Sequence, residues 1–161
     1  MAVRVAKVDY SDPKEADHFR DLLNAYACDR FGAGEALPQD VLDALPVRLA
    51  EFPTAFSVIA YVDDEPAALA NCFFGFSTFA ARRLVNIHDV VVLDKFRGQG
   101  LSRKLFESVE QIARDSDCCK LTLEVLEHND IALAAYRRFG FDNYELDPTA
   151  GRALFMDKKL T

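Results

Sequence analysis

A strand that runs into two glycines and leaves as a helix is the feature that most restricts this chain. Residues Val90–Arg103 read VVVLDKFRGQGLSR. Three β-branched valines favour a strand. Leu101, Leu105, Val109, Ile112 and Ala113 then repeat at helical spacing. Between them, Gly98 and Gly100 let the backbone turn tightly and approach a ligand closely. The first N–H groups of a helix lack intrahelical partners, so the first turn of the helix that opens here can point them at one spot, where an anion is favoured. Ser102 adds a hydroxyl donor, and Arg97 and Arg103 add positive charge. A P-loop needs two further residues, Lys and Ser or Thr, after its last glycine. A dinucleotide fingerprint needs a third glycine, and neither pattern is completed here. A glycine turn without a ligand is the alternative, and the segment alone does not separate the two.

The flanking pattern predicts one mixed α/β domain spanning residues 1–161. Val3, Val5, Val8 and Tyr10 form a rough opening strand. Ser11-Asp12-Pro13 starts a helix carrying Ala16, Phe19, Leu22, Leu23 and Tyr26. After Gly32 and Gly34 a second helix runs from Pro38 to about Leu49. Ala55–Val62 and Ala67–Phe76 are the arms of a hairpin around Asp63-Asp64-Glu65-Pro66, and Leu84–Leu93 follows as the next strand. The helix after Gly100 leads to a strand at Lys120–Leu126. A further helix, Asn129–Phe139, is ended by Gly140. Phe141–Glu145 and Ala153–Lys159 are expected to close the chain as strands. The order is β-α-α-β-β-β-α-β-α-β-β, with one right-handed strand–helix–strand crossover between parallel strands.

Composition removes several function classes. The net charge is −7, which argues against nucleic-acid binding, since that needs a basic surface. An acidic surface favours cationic ligands, though weakly. No apolar run reaches the roughly 18–20 residues of a membrane span. Met1-Ala2-Val3-Arg4-Val5 shows no signal-peptide pattern, so the cytoplasm is the expected compartment. Cys28, Cys72, Cys118 and Cys119 form no CxxC pair and read as small buried hydrophobes. His18, His88 and His128 share no metal-ligand spacing, so no metal is expected.

Two motifs carry a resemblance. Arg97-Gly98-Gln99-Gly100-Leu101-Ser102 follows a (Q/R)xxGx(G/A) pattern, with Ser102 standing where glycine or alanine is usual. Asn129, Ala132, Tyr136, Gly140 and Phe141 match NxxAxxxYxxxGF. Together, in this order between strands, they resemble the GNAT superfamily of acyl-CoA N-acyltransferases, over about Leu84–Phe141. The stretches HDVVVLDKFRGQGLS and EVLEHNDIALAAYRRFGF, with the late Gly151–Phe155, look similar to its diamine and thialysine acetyltransferase branch.

That resemblance implies a fold with splayed central parallel strands and acetyl-CoA as co-substrate. The pantetheine arm would lie along Val90, Val91 and Val92, and the pyrophosphate on the Gly98–Arg103 amides. Asn129 would hydrogen-bond the arm, and Tyr136 would act as general acid toward the sulfur. Asp89 matches a position that binds cationic amines in the diamine branch. A homodimer, common in the superfamily, is compatible with the C-terminal strands.

Acetyl transfer to a primary amine needs a neutral nucleophile and a protonated leaving thiol. His88 and Asp89 are the candidate bases, and strict alternation along a strand sends one toward the slot and the other away. Glu124 can relay a proton through water, while Asp29 and Glu35 can line an amine pocket. The expected substrate is a polyamine, diamine or lysine-like amino acid. A peptide or protein N-acetyltransferase, and a non-catalytic acyl-CoA sensor, are the competing readings.

Overall fold

A computed structural model describes all 161 residues. Its sheet has five strands in the order β1-β2-β3-β4-β5: Val3–Lys7, Ala55–Val62, Glu65–Ser77, Arg82–Val92 and Leu121–Leu123. The first four pair antiparallel in sequence order, and β4 pairs β5 in parallel. Four helices complete the fold: α1 (Pro13–Cys28), α2 (Gln39–Glu51), α3 (Leu101–Asp115) and α4 (Asp130–Phe139).

Local chemistry explains the helix ends. Asp12 accepts from the Glu15 N–H at 2.9 Å, and Pro13 opens α1 with the φ a first turn requires. Asn129 caps α4 by accepting from the Ala132 N–H at 3.3 Å. Gly140 ends that helix at φ 114°, in the left-handed region that favours glycine.

The helices sandwich the sheet between two cores. On one side, Leu101, Leu105, Phe106, Val109 and Ala113 of α3 pack on Phe56, Val58, Ala60, Val85 and Ile87. On the other, Phe19, Leu22 and Leu23 of α1 meet Ile59, Tyr61, Leu69 and Val91. Phe106 is 1% exposed and touches the rings of Tyr136, Phe139 and Phe141 at centroid distances of 5.3–5.7 Å. It fastens α4 to α3.

The two expected C-terminal strands are a correction. Neither Phe141–Glu145 nor Ala153–Lys159 joins the sheet, which ends at β5. Asp147 accepts from both the N–H and the hydroxyl of Thr149, and Pro148–Ala150 forms a 3₁₀ turn. Such short-range side-chain bonds offer the backbone an alternative to a ladder. The Lys120–Leu126 strand is also shorter than expected, with only Leu121–Leu123 paired. Of the cysteines, all free, only Cys72 is buried, and Cys28 is exposed at the end of α1.

Phe106→Ala should remove about 3–5 kcal/mol of stability, the usual range for a buried aromatic truncated to alanine. Urea denaturation followed by circular dichroism measures it.

Candidate active site

The corner between β4 and α3 is built from backbone. Gly98 and Gly100 sit at φ 75° and 74°, where a side chain would be strained. A Cβ placed on either glycine would meet no atom within 4 Å, so the space above the turn is open. Lys104 is the first residue of α3 whose N–H finds a backbone acceptor, the Gly100 carbonyl at 3.3 Å. The amides of Gly98, Gln99, Gly100, Leu101, Ser102 and Arg103 donate to no protein group. Six consecutive free N–H groups at a helix N-terminus suit a diphosphate. The buried Leu101 contributes its amide alone, while Ser102 is half-buried and Gln99 exposed.

The charges expected around this corner are partly committed. Arg103 Nε donates to Glu107 Oε1 at 2.8 Å. Arg97 donates to Asp29 Oδ2 at 3.1 Å and to the Val92 carbonyl at 3.3 Å, and pairs with Asp94 at 2.9 Å. Asp29, the residue that ends α1, therefore lies beside the phosphate corner.

Next to the corner the sheet opens. The β4–β5 ladder stops at the Ile87–Leu123 pair, while β4 continues to Val92 against β3. Along Val90, Val91 and Val92 the β5 side of β4 is left without a strand partner. This gap is the splay that the parallel strands were expected to show. The Asn129 side chain caps α4 through Oδ1, and its Nδ2 donates to no protein group. Tyr136 rests on Phe106, and its hydroxyl has no protein partner but is not sealed from solvent. Burial, helped by the field of Tyr26, pushes the Tyr136 phenol up to about 12. Tyr26, on α1, is itself raised first by burial and then by Asp89 and Asp29. Tyr136, Tyr26 and Asp89 thus feel one another from α4, α1 and β4.

His88 and Asp89 do not alternate as expected. Asn71 pairs with Asp89 and Cys72 with Ile87, so His88 is an extra residue, a β-bulge in β4. Ile87 and Val90 face the α3 core, while both His88 and Asp89 line a cavity on the α1 side. The bulge shifts the parity of the strand and brings the two side chains to one face.

A polar row leads to Asp89. Tyr10 and Ser57 hydroxyls lie 2.7 Å apart, Ser57 Oγ donates to Asn71 Oδ1 at 2.6 Å, and Asn71 Nδ2 donates to Asp89 Oδ2 at 3.0 Å. Since the Ser57 proton goes to Asn71, Tyr10 donates to Ser57. Ser57 is 1% and Asn71 6% exposed. Both sit in strands whose other inward residues are apolar, and that break in pattern was the signal that sequence reasoning passed over. The thiol of neighbouring Cys72 is pushed up by burial and then by Asp89, which keeps it inert.

The cavity above this row measures about 220 Å³. Phe19 and Leu23 of α1, Leu45 and Leu49 of α2, and Phe73 of β3 form its walls. The exposed His88 ring stands edge-on to Phe73 at 5.4 Å. Glu35, exposed in the α1–α2 loop, and Glu124, exposed just beyond β5, lie outside the cavity lining.

This architecture is widely shared. An aminoglycoside acetyltransferase, AAC(6')-Iy, solved with a CoA-linked bisubstrate analogue, superposes with a TM-score of 0.78 at 17% identity, covering 99% of both chains. A ribosomal-protein-alanine N-acetyltransferase from Brucella melitensis superposes at 0.68 and 19% identity, over 91% of this chain and 99% of that one. The fold is that of an N-acetyltransferase. The model of the Acetyltransferase (GNAT) family matches residues 19–141, and the chain belongs to that family. Among its relatives, the thialysine N-epsilon-acetyltransferase of Caenorhabditis elegans is 31% identical over 85 residues, 53% of this chain and 52% of that protein. The Bos taurus enzyme of the same name is 34% identical over 68 residues, 42% of this chain and 39% of the other. The chain therefore spans about half, or less, of the curated relatives it matches.

Two outcomes follow from these environments. Ser57→Ala leaves the Tyr10 hydroxyl and Asn71 Oδ1 without their partner, and should cost about 1–3 kcal/mol in urea unfolding. The raised Tyr136 phenol gives a second, alkaline signature. Its contribution to stability is complete below the ordinary value of 10.0 and is lost as pH rises through about 12. Tyr136→Phe should remove up to one proton of linkage there, at most about 1.4 kcal/mol per pH unit, from the slope of stability against pH.

Proposed function

We propose that this protein transfers an acetyl group from acetyl-CoA to the primary amine of a small cationic substrate. The run of six unpartnered amides beside an unpaired β4 edge carries the reading. It supplies an anion site and an extended backbone edge in line, as an elongated acyl-CoA requires. Gly98–Arg103 would hold the pyrophosphate, assisted by Arg97. Val90, Val91 and Val92 would hold the pantetheine arm through the backbone, with Asn129 Nδ2 as a further donor. Acetyl-CoA supplies the activated acetyl group; the amine nitrogen bonds the acetyl carbon as the carbon–sulfur bond breaks.

The chain's own groups manage the protons. Tyr136 stays protonated through the neutral range and donates to the departing sulfur. Asp89 holds the ammonium beside the bulge. The exposed His88 takes the proton that the amine must lose and passes it to solvent. Glu124, beyond the end of β5, is a secondary route through water. Asp29 acts at the corner rather than on the amine, by holding Arg97, and Glu35 remains an outer acid on the α1–α2 loop.

Polyamines, diamines and lysine-like amino acids are the first substrates of this proposal, supported by the thialysine acetyltransferases among the relatives. The four free thiols support the cytoplasm as its compartment. The exposed Leu154, Phe155 and Met156 support a homodimer.

Gly100→Asp tests the corner. The position has room for a side chain, and aspartate tolerates the left-handed conformation better than most residues. The fold should survive, while affinity for acetyl-CoA should fall at least about tenfold, or ~1.4 kcal/mol, in isothermal calorimetry. Unchanged affinity would remove the corner from the site. Tyr136→Phe should lower kcat by about 10²-fold or more with the KM for acetyl-CoA nearly constant, as expected for loss of a positioned acid. Equal kcat would end its assignment as the proton donor.

A further inference from the structure

We propose that the preferred acceptor carries a single ammonium on an apolar body, as an arylethylamine or a straight-chain alkylamine does, rather than two or more cations. The inference rests on the acetyl-transfer reading above, and replaces its polyamine, diamine and lysine-like acceptors with monoamines.

The charge pattern of the cavity is the first observation. Asp89 is the only acidic residue in its lining, and it stands at one pole beside the bulge. Asn71 Nδ2 occupies its Oδ2 at 3.0 Å, while Oδ1 accepts from no protein group and no Lys, Arg or His pairs with the carboxylate. One half-buried carboxylate oxygen thus awaits one cation. The other nearby acid at the end of α1, Asp29, already answers Arg97 at 3.1 Å.

Shape and wall chemistry are the second. The cavity of about 220 Å³ exceeds the roughly 150 Å³ apolar cavity that admits benzene. Away from Asp89 its walls are mainly Phe19, Leu23, Leu45 and Leu49, and the Tyr10 and Ser57 hydroxyls there are already engaged in the polar row. An alkyl chain or a phenyl ring gains there by leaving water. A second ammonium at that end would be stripped of water with no carboxylate to receive it. A diamine of matched length therefore binds worse than the monoamine, although its overall charge suits an acidic protein better.

A thiol-release assay on the full chain with acetyl-CoA decides this, comparing hexylamine, 2-phenylethylamine, 1,6-diaminohexane, spermidine and lysine. The kcat/KM of hexylamine and 2-phenylethylamine should exceed that of 1,6-diaminohexane by at least about tenfold, the discrimination an unpaired polar group against an apolar wall readily gives. Leu45→Asp and, separately, Leu49→Asp place a carboxylate on the far wall, and at least one should shift the ratio toward the diamine. Circular dichroism confirms that each variant is folded. If wild type prefers 1,6-diaminohexane or spermidine tenfold, the inference is wrong while acetyl transfer stands. If no amine releases thiol although calorimetry shows acetyl-CoA bound, the reading it rests on falls, and the inference with it.

Discussion

The pairing of β4 with β5 stops after three residues, and the rest of the site depends on that early stop. A parallel ladder carried to Val92 would consume the backbone edge along Val90–Val92. Because it ends at Ile87–Leu123, α4 can enter beside the gap with Asn129 at its start and Tyr136 two turns in. The α3 amides face the same opening from the other end. Phe106 packs against both Tyr136 and the core on the sheet, which ties α4 to this side of the fold.

The bulge at His88 does complementary work on the opposite side of the sheet. One inserted residue changes which face the following side chains take, so that Asp89 joins the α1 side while Val90 and Val92 still pack toward α3. Without it, Asp89 would point into the α3 core. The buried Ser57 and Asn71 would then have no acceptor at the end of their row. The bulge and the row are one device, each making sense of the other.

Much of this was legible in the residues. The glycine corner, the α3 stripe, and the α4 segment bounded by Asn129 and Gly140 are local patterns, set by caps, turns and periodicity over a few residues. What stayed hidden depends on pairing between distant segments. The parity shift at His88 needs the register against Asn71 and Cys72, which no spacing along β4 reveals. Ser57 and Asn71 look like isolated polar intrusions until the β2–β3 register sets them side by side. The partnership of Asp29 with Arg97 joins residues sixty-eight apart. At the C-terminus, strand-forming residues in Ala153–Lys159 were not enough, since a strand also needs a partner and none pairs with them.

The Tyr10–Ser57–Asn71–Asp89 row has a direction, and that direction matters. Every donor in it points the same way, so no member can flip without facing a neighbour donor to donor or acceptor to acceptor. Asn71 is obliged to turn its NH₂ toward Asp89, and Asp89 is obliged to receive it. The carboxylate is consequently oriented during folding, with its rotamer entropy already surrendered. In the proposed reading little side-chain freedom would remain to be frozen when a cation binds, which lowers the entropy cost of holding it.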